Sequence, residues 1–368
     1  MQDTSHQTST PIPHSESVNI PASPTPASTP RRTVDRGLTS EIAPALLQQR
    51  AWMRALSLID RFRVIRTIDV AVGIFPERSF KAALTAAQRA MRRLSNADLI
   101  RRYRTDRHQH VYGLTAAGAR WLNDQGVEAT ASVRRVADMT NPEHQLWIGF
   151  ITLCCEARAI PAMTESEALR EIAAISGGRR NAEFLTVRLH EKSRSLRPDV
   201  LAFETDGATW FEIDRSKRGS DREAALVALV QSIGSGLTNG LPLRRVVVLA
   251  RNDRILSRAQ GLLRDRIRKT ADQPMTTESE RRLTETEPGT FVVRALVYAD
   301  DSQQFIEQTV GHVIVQLLPT WLPKFRQTRH MVPSTAGWLE ENYLPYRRPD
   351  SMEPWSAPES PLITLAPE

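Results

Sequence analysis

Cysteine is nearly missing from this 368-residue chain: Cys154 and Cys155 are the only two, and they are adjacent. Neighbouring cysteines rarely bridge each other, and no C-x-x-C spacing exists, so neither a disulfide framework nor a cysteine zinc site is supported. The expectation is a pair of small residues buried on a helix, in a reducing compartment. Long apolar runs are missing as well. None approaches the roughly 18 residues of a membrane span, and the first residues show no basic-then-apolar leader. A soluble, cytoplasmic chain is expected. No G-x-x-x-x-G-K-[ST] loop occurs, so nucleotide hydrolysis has no support, and neither G-x-S-x-G nor H-E-x-x-H is present.

Positive charge, by contrast, is in excess. The formal net charge is +7 and the sequence pI about 9.8. Residues 41–126 hold 15 Lys and Arg against 7 Asp and Glu, more than the whole chain's excess. A basic front segment favours a polyanionic partner, most simply double-stranded DNA.

Composition divides the chain. Residues 1–36 are rich in Ser, Thr and Pro with almost no large apolar side chains, so they are expected to be disordered. Residues 40–126 form one unit, 127–140 a linker and 141–320 a second unit. From about 332 to 368 a Pro-rich tail with Trp338, Tyr343, Tyr346 and Trp355 is expected to be loosely attached, its aromatics docking on the body or on a partner.

The front unit reads helix, helix, helix, hairpin, helix. In "ERSFKAALTAAQRAMRRLS", Phe80, Leu84, Ala87, Met91 and Leu94 recur at helical spacing and make a core-facing stripe. Lys81, Thr85, Gln88 and Arg92 form a polar stripe beside it, suited to the major groove. "LIRRYRTDRHQHVYGLT" reads as two strands around a basic turn. It offers Arg101, Arg102, Arg104 and Arg107 to phosphates or the minor groove. A solvated helix face and a charged edge hairpin are the alternative. "HVYGLTAAGARWL", with Thr115 as an N-cap, resembles the wing strand and following helix of bacterial winged-helix regulators.

Beyond the linker, "NPEHQLWIGFITLCCEAR" reads as a helix capped by Asn141, and "EFLTVRLH", "RPDVLAFE" and "TWFEIDRS" as three strands. "DREAALVALVQSI" and "RRVVVLA" add a helix and an apolar strand. A helix near 253–268, a strand near 291–298 and a helix near 302–318 are expected to flank them. Two residues apart on one strand, Glu212 and Asp214 share a face; with a suitable register Asp199 joins them. Such an oxygen-rich set suits Mg²⁺ or Mn²⁺, which would activate water at a phosphate. The alternative is a solvated strand end with Arg197 and Arg215 as partners.

The α-β-β-β-α-β order, with Pro198-Asp199 and then Glu212-Ile213-Asp214, resembles the PD-(D/E)xK nuclease superfamily. That resemblance implies a mixed α+β or α/β fold: an N-terminal winged helix-turn-helix, then a restriction-endonuclease-like domain. It implies Asp199, Glu212 and Asp214 as metal ligands and catalytic residues. Asp214 stands where the superfamily has lysine, which leaves Arg215, expected on the opposite strand face, or Lys217, just past the strand, as a substitute phosphate contact. Narrower still, Glu143-His144-Gln145-Leu146, Arg197-Pro198-Asp199 and Glu212-Ile213-Asp214-Arg215 together resemble the replication-relaxation family of plasmids and mobile elements, over about 45–260. The family implies a role in replication, relaxation or mobilisation of DNA, with a relaxase or replication proteins as partners. Glu143 and His144 read first as a helix-start acid and a structural histidine between helix and sheet. A non-catalytic transcription or replication regulator, whose second domain mediates dimerisation or partner docking, is the competing reading.

Overall fold

A computed structural model describes residues 42–104, 110–132, 142–175, 183–189, 192–214, 219–299, 303–318 and 343–363. The expected disorder of 1–36 concerns residues outside this set, as does Arg107 of the hairpin turn. The described chain is mixed α/β, with eight helices and eleven strands among the described residues.

The front is α1 (Pro44–Phe62), α2 (Thr67–Ile74), α3 (Phe80–Asn96), β1 (Ile100–Arg104), β2 (His110–Leu114) and α4 (Ala116–Asp124). Pro44 opens α1, where its missing N–H costs nothing. Thr115 caps α4 as expected, its hydroxyl accepting the Gly118 N–H at 3.0 Å. β1 and β2 pair antiparallel from Ile100↔Leu114 to Arg104↔His110. Ile65, between α1 and α2, bridges to Tyr112 and makes a third, minimal strand. Gly118 allows α4 to lie against the backbone, since a Cβ there would stand 2.1 Å from the Leu99 carbonyl oxygen.

The rear is α5 (Pro142–Glu156), β3 (Ala162–Thr164), α6 (Glu165–Ile175), β4 (Leu185–Leu189), β5 (Lys192–Leu196), β6 (Val200–Glu204), β7 (Gly207–Asp214), α7 (Ser220–Gln231), β8 (Leu243–Ala250), α8 (Asp253–Thr270), β9 (Arg282–Glu287), β10 (Thr290–Ala299) and β11 (Gln304–Leu317). Seven strands form one sheet in the order β3-β6-β7-β8-β11-β10-β9. β7 and β8 are parallel and joined through α7, whereas β6 is antiparallel to both β3 and β7.

Strand alternation builds two cores, one on each sheet face. Val200, Ala202, Phe211, Ile213, Val247, Leu249 and Ile314 join α1–α5 on one side. Leu201, Trp210, Val246, Val248, Val313 and Val315 join α7 and α8 on the other. The adjacent cysteines sit on α5, fully buried, and that burial pushes both thiols up.

Two expectations change. "EFLTVRLH" is not in the main sheet; β4 pairs only with β5, and the short β3 takes the place beside β6. Residues 304–317 are a strand and not a helix, because β-branched Val313 and Ile314 pair with both β8 and β10, and Val315 continues the ladder with β8. Residues 127–132 of the expected linker are held to the front: Ser132 exchanges hydrogen bonds with Leu114 at 2.7 and 2.9 Å. The tail also docks on the body over 343–363. Tyr343, Tyr346 and Leu362 are buried, Arg348 pairs with buried Glu204, and the Arg348 guanidinium lies 3.6 Å over the Trp355 ring.

Charge joins front to rear. Arg61 of α1 donates to Glu167 of α6 at 2.6 Å and to Glu156 of α5 at 2.5 Å. Burial alone would raise the Glu167 carboxyl, but the bonds from Arg61 and Thr164 outweigh it and hold the group below the usual carboxylate range. At the start of α2, buried Arg66 forks onto Asp69 at 2.6 and 2.9 Å and reaches the Leu146 carbonyl of α5 at 3.3 Å.

A depressed folded-state pKa contributes stability present above the unfolded value, near 4.3, and lost as pH falls through the folded one. Glu167→Gln is therefore expected to cost about 1.5–3 kcal/mol at neutral pH and to flatten the acid limb of stability. Urea denaturation at a series of pH values checks this; an unchanged acid limb would count against the clasp.

Candidate functional site

The β6–β7 ladder ends at Val200↔Phe211. The next residue on each strand is a carboxylate, Asp199 and Glu212. Both line one cleft of about 680 Å³ at the strand ends. The cleft size is that of a small-ligand pocket.

Each carboxylate is oriented by the fold. Asp199 Oδ2 accepts the Ile213 N–H at 2.7 Å, so the side chain closes the strand pair where backbone pairing stops. Its Oδ1 lies 3.1 Å from His144 Nε2 on the first turn of α5. Glu212 Oε1 accepts the indole N–H of fully buried Trp210 at 2.7 Å. Trp210 and Glu212 share a face because they stand two apart on β7. A rigid aromatic from the core thus fixes a half-buried acid at the cleft wall.

His144 is the residue that sequence reasoning undervalued. It does bond between helix and sheet, as the structural reading expected, but its partner is the acid at the centre of the candidate site. The signal was its place in the first turn of the helix preceding the sheet. The omission is arginine: Arg222, Arg251 and Arg258 line the same cleft, beside Arg197, which the sequence had offered as a carboxylate partner.

Asp214 continues β7, paired with Ala250. Its side chain and Lys217 lie outside the described residues, as do Arg215, Asn141 and the side chain of Glu143. No group of three or more His, Cys, Asp and Glu able to hold a metal exists among the described residues. Two carboxylates still fit a Mg²⁺-type ion, which commonly takes one or two protein carboxylates and fills its other positions with water and phosphate oxygens.

On α3, Lys81, Thr85, Gln88 and Arg92 are all exposed, a continuous polar stripe. Ala83, Ala87, Met91 and Leu94 are buried on the opposite side, with Phe80 and Leu84 half-buried at its edge. The Thr85 hydroxyl donates back to the Lys81 carbonyl at 2.7 Å. On β1, Arg101, Arg102 and Arg104 are exposed, and the Arg101 guanidinium lies 5.8 Å over the Tyr103 ring.

A mixed α/β protein with an exposed basic helix and an arginine-lined carboxylate cleft is the class these features define. The family described as Replication-relaxation matches residues 56–230, from within α1 into α7. The family expected from the sequence is therefore borne out over that span, which contains the α3 stripe, His144, Asp199 and Glu212. No curated protein and no solved structure matches the chain.

Asp199→Asn keeps an oxygen for the Ile213 N–H, whereas Asp199→Ala leaves that donor without its carboxylate. The alanine variant is expected to lose about 1–3 kcal/mol more stability than the asparagine variant. Urea denaturation of both reads the difference; equal midpoints would show that Asp199 does not hold the strand end.

Proposed function

We propose that this is a DNA-binding protein acting in replication, relaxation or mobilisation of plasmid or mobile-element DNA, with a nuclease-like centre at Asp199 and Glu212. The observation that carries it is the convergence of these two acids, from neighbouring strands, in a cleft rimmed by arginine. The family match supports the biological setting, in which DNA and replication proteins or a relaxase are the natural partners.

In this reading α1–α4 with the β1–β2 hairpin form a winged helix. Support comes from the Ile65–Tyr112 bridge, which gives the hairpin its third strand, and from the exposed α3 stripe. Lys81, Thr85, Gln88 and Arg92 face the major groove, while Arg101, Arg102, Arg104 and Arg107 meet phosphates. The rear is a restriction-endonuclease-like core, supported by the order α5, β3, β6, β7, α7, β8, with α6 and the separate β4–β5 pair inserted after β3, and by the sheet order β3-β6-β7-β8. The cleft acids are placed at the ends of β6 and β7.

Asp199 and Glu212 would hold Mg²⁺ or Mn²⁺, with Asp214 next along β7 as a third acid and Lys217 as a phosphate contact. When bound, that ion supplies a polarised water and offsets charge on the scissile phosphate. His144 keeps Asp199 in place from α5. The arginines neutralise phosphate oxygens beside the acids and hold the backbone still.

A non-catalytic regulator is the second reading, favoured by the lack of a three-ligand cluster among the described residues. Its second domain would serve dimerisation or partner docking.

Supercoiled plasmid separates the two. Metal-dependent nicking should fall at least about a hundredfold in Asp199→Asn and Glu212→Gln, with duplex binding kept. Equal nicking by the variants and the unaltered chain would remove the nuclease reading. For the front, Lys81→Ala/Arg92→Ala should weaken duplex binding and lower its salt slope by about 1.8, near 0.9 per lost phosphate contact. An unchanged slope would contradict docking through α3.

A further inference from the structure

The cleft that holds the two acids is rimmed by arginine. Its arginines come from distant parts of the chain: Arg197 precedes β6, Arg222 lies in the first turn of α7, Arg251 follows β8, and Arg258 is on α8. Arg251 and Arg258 fall beyond the matched 56–230 segment. Hence the positive lining is completed by the C-terminal part of the sheet.

The acids are recessed. The Asp199 side chain is 18% exposed and that of His144 is 23% exposed. A volume of about 680 Å³ has room for a nucleotide or two. A duplex is a stiff rod with its phosphates on the outside, and its bulk stays at the rim of such a recess. A single strand bends at every nucleotide and can carry one phosphate down to Asp199 and Glu212.

We infer that the cleft binds a single strand of DNA, unpaired from its complement, with Arg197, Arg222, Arg251 and Arg258 converging on the phosphates of the one or two nucleotides it holds and Asp199 with Glu212 facing one of them. This deepens the proposed nuclease-like centre and rests on that reading for its chemistry, but the binding stands by itself. Among the described residues the lining contains no Phe, Tyr or Trp, and its one imidazole, His144, is engaged with Asp199. Bases meet Leu226, Val248 and Leu262. Recognition is through the backbone, so it is tolerant of sequence and steep in salt.

The division of labour follows. The α3 stripe docks on duplex, and the cleft takes a strand released next to it, such as one at a melted origin or a nick. A protein of this design acts where duplex and single strand meet.

The test measures anisotropy of a labelled thymidine oligomer and, separately, of a labelled hairpin duplex, across a salt series without metal. Arg222→Glu/Arg258→Glu is expected to lower single-strand affinity by about tenfold or more, and to lower its salt slope by about 1.4, near 0.7 per lost contact. Duplex affinity should stay within about twofold, which also shows that the variant is folded. Single-strand affinity equal to that of the unaltered chain would overturn the inference, as would a parallel loss on both probes. Nicking is not part of this readout. Failure of the metal reading with intact single-strand binding, or the reverse, would therefore be told apart.

Discussion

Two acids stay together because the pairing register of β6 and β7 is fixed by what each face of the central sheet buries. Wherever a face is buried, a one-residue slip sends every side chain to the opposite side. Here a shift of one residue would exchange Phe211 and Ile213 with Trp210 and Glu212, and would send a carboxylate into the core around α5. The apolar alternation fixes the register, and the register fixes where the carboxylates emerge. Trp210 makes the coupling direct: its ring belongs to one core and its indole N–H holds Glu212.

The same sheet ties the front to the rear. The α1–α4 unit packs on the sheet through α5, and the core is continuous from Ala51 to Leu362. Arg61, Arg66 and Arg54 then fix the orientation with charge-assisted bonds to Glu167, Glu156, Asp69 and the Leu146 carbonyl. Such bonds add little net stability when exposed, and on burial desolvation offsets much of their Coulomb gain; what the bidentate geometry adds is a fixed orientation. The docked segment 343–363 closes the same core from outside, with Arg348 answering the buried charge of Glu204. An exposed basic helix and a recessed cleft are therefore parts of one body, whose geometry any bound nucleic acid must follow.

Much of this was legible in residues. The α3 stripe, the Thr115 cap and the arginine hairpin followed from helical spacing and local capping chemistry, which need no distant partner. The meeting of Asp199 with Glu212 was legible as a conditional, since alternation gives a face but only the ladder gives the neighbour. Distance in sequence hid the rest. Residues 304–317 read as a helix because their exposed first half lacks strict alternation, and only their place between β8 and β10 makes them a strand. The tail aromatics were ambiguous because docking depends on Glu204, which is far away in the chain. Arg251 and Arg258 carried no motif, and their place in the cleft appears only when β8 and α8 bring them beside β7.

The central claim is that the ends of β6 and β7 form one ion-holding, phosphate-facing centre. Anomalous scattering from a crystal soaked in Mn²⁺ together with a thymidine oligomer tests it most directly. The account requires a manganese peak between Asp199 and Glu212, with a phosphate at the arginine side of the ion. A peak elsewhere, or an ordered strand lying away from Asp199, would contradict it.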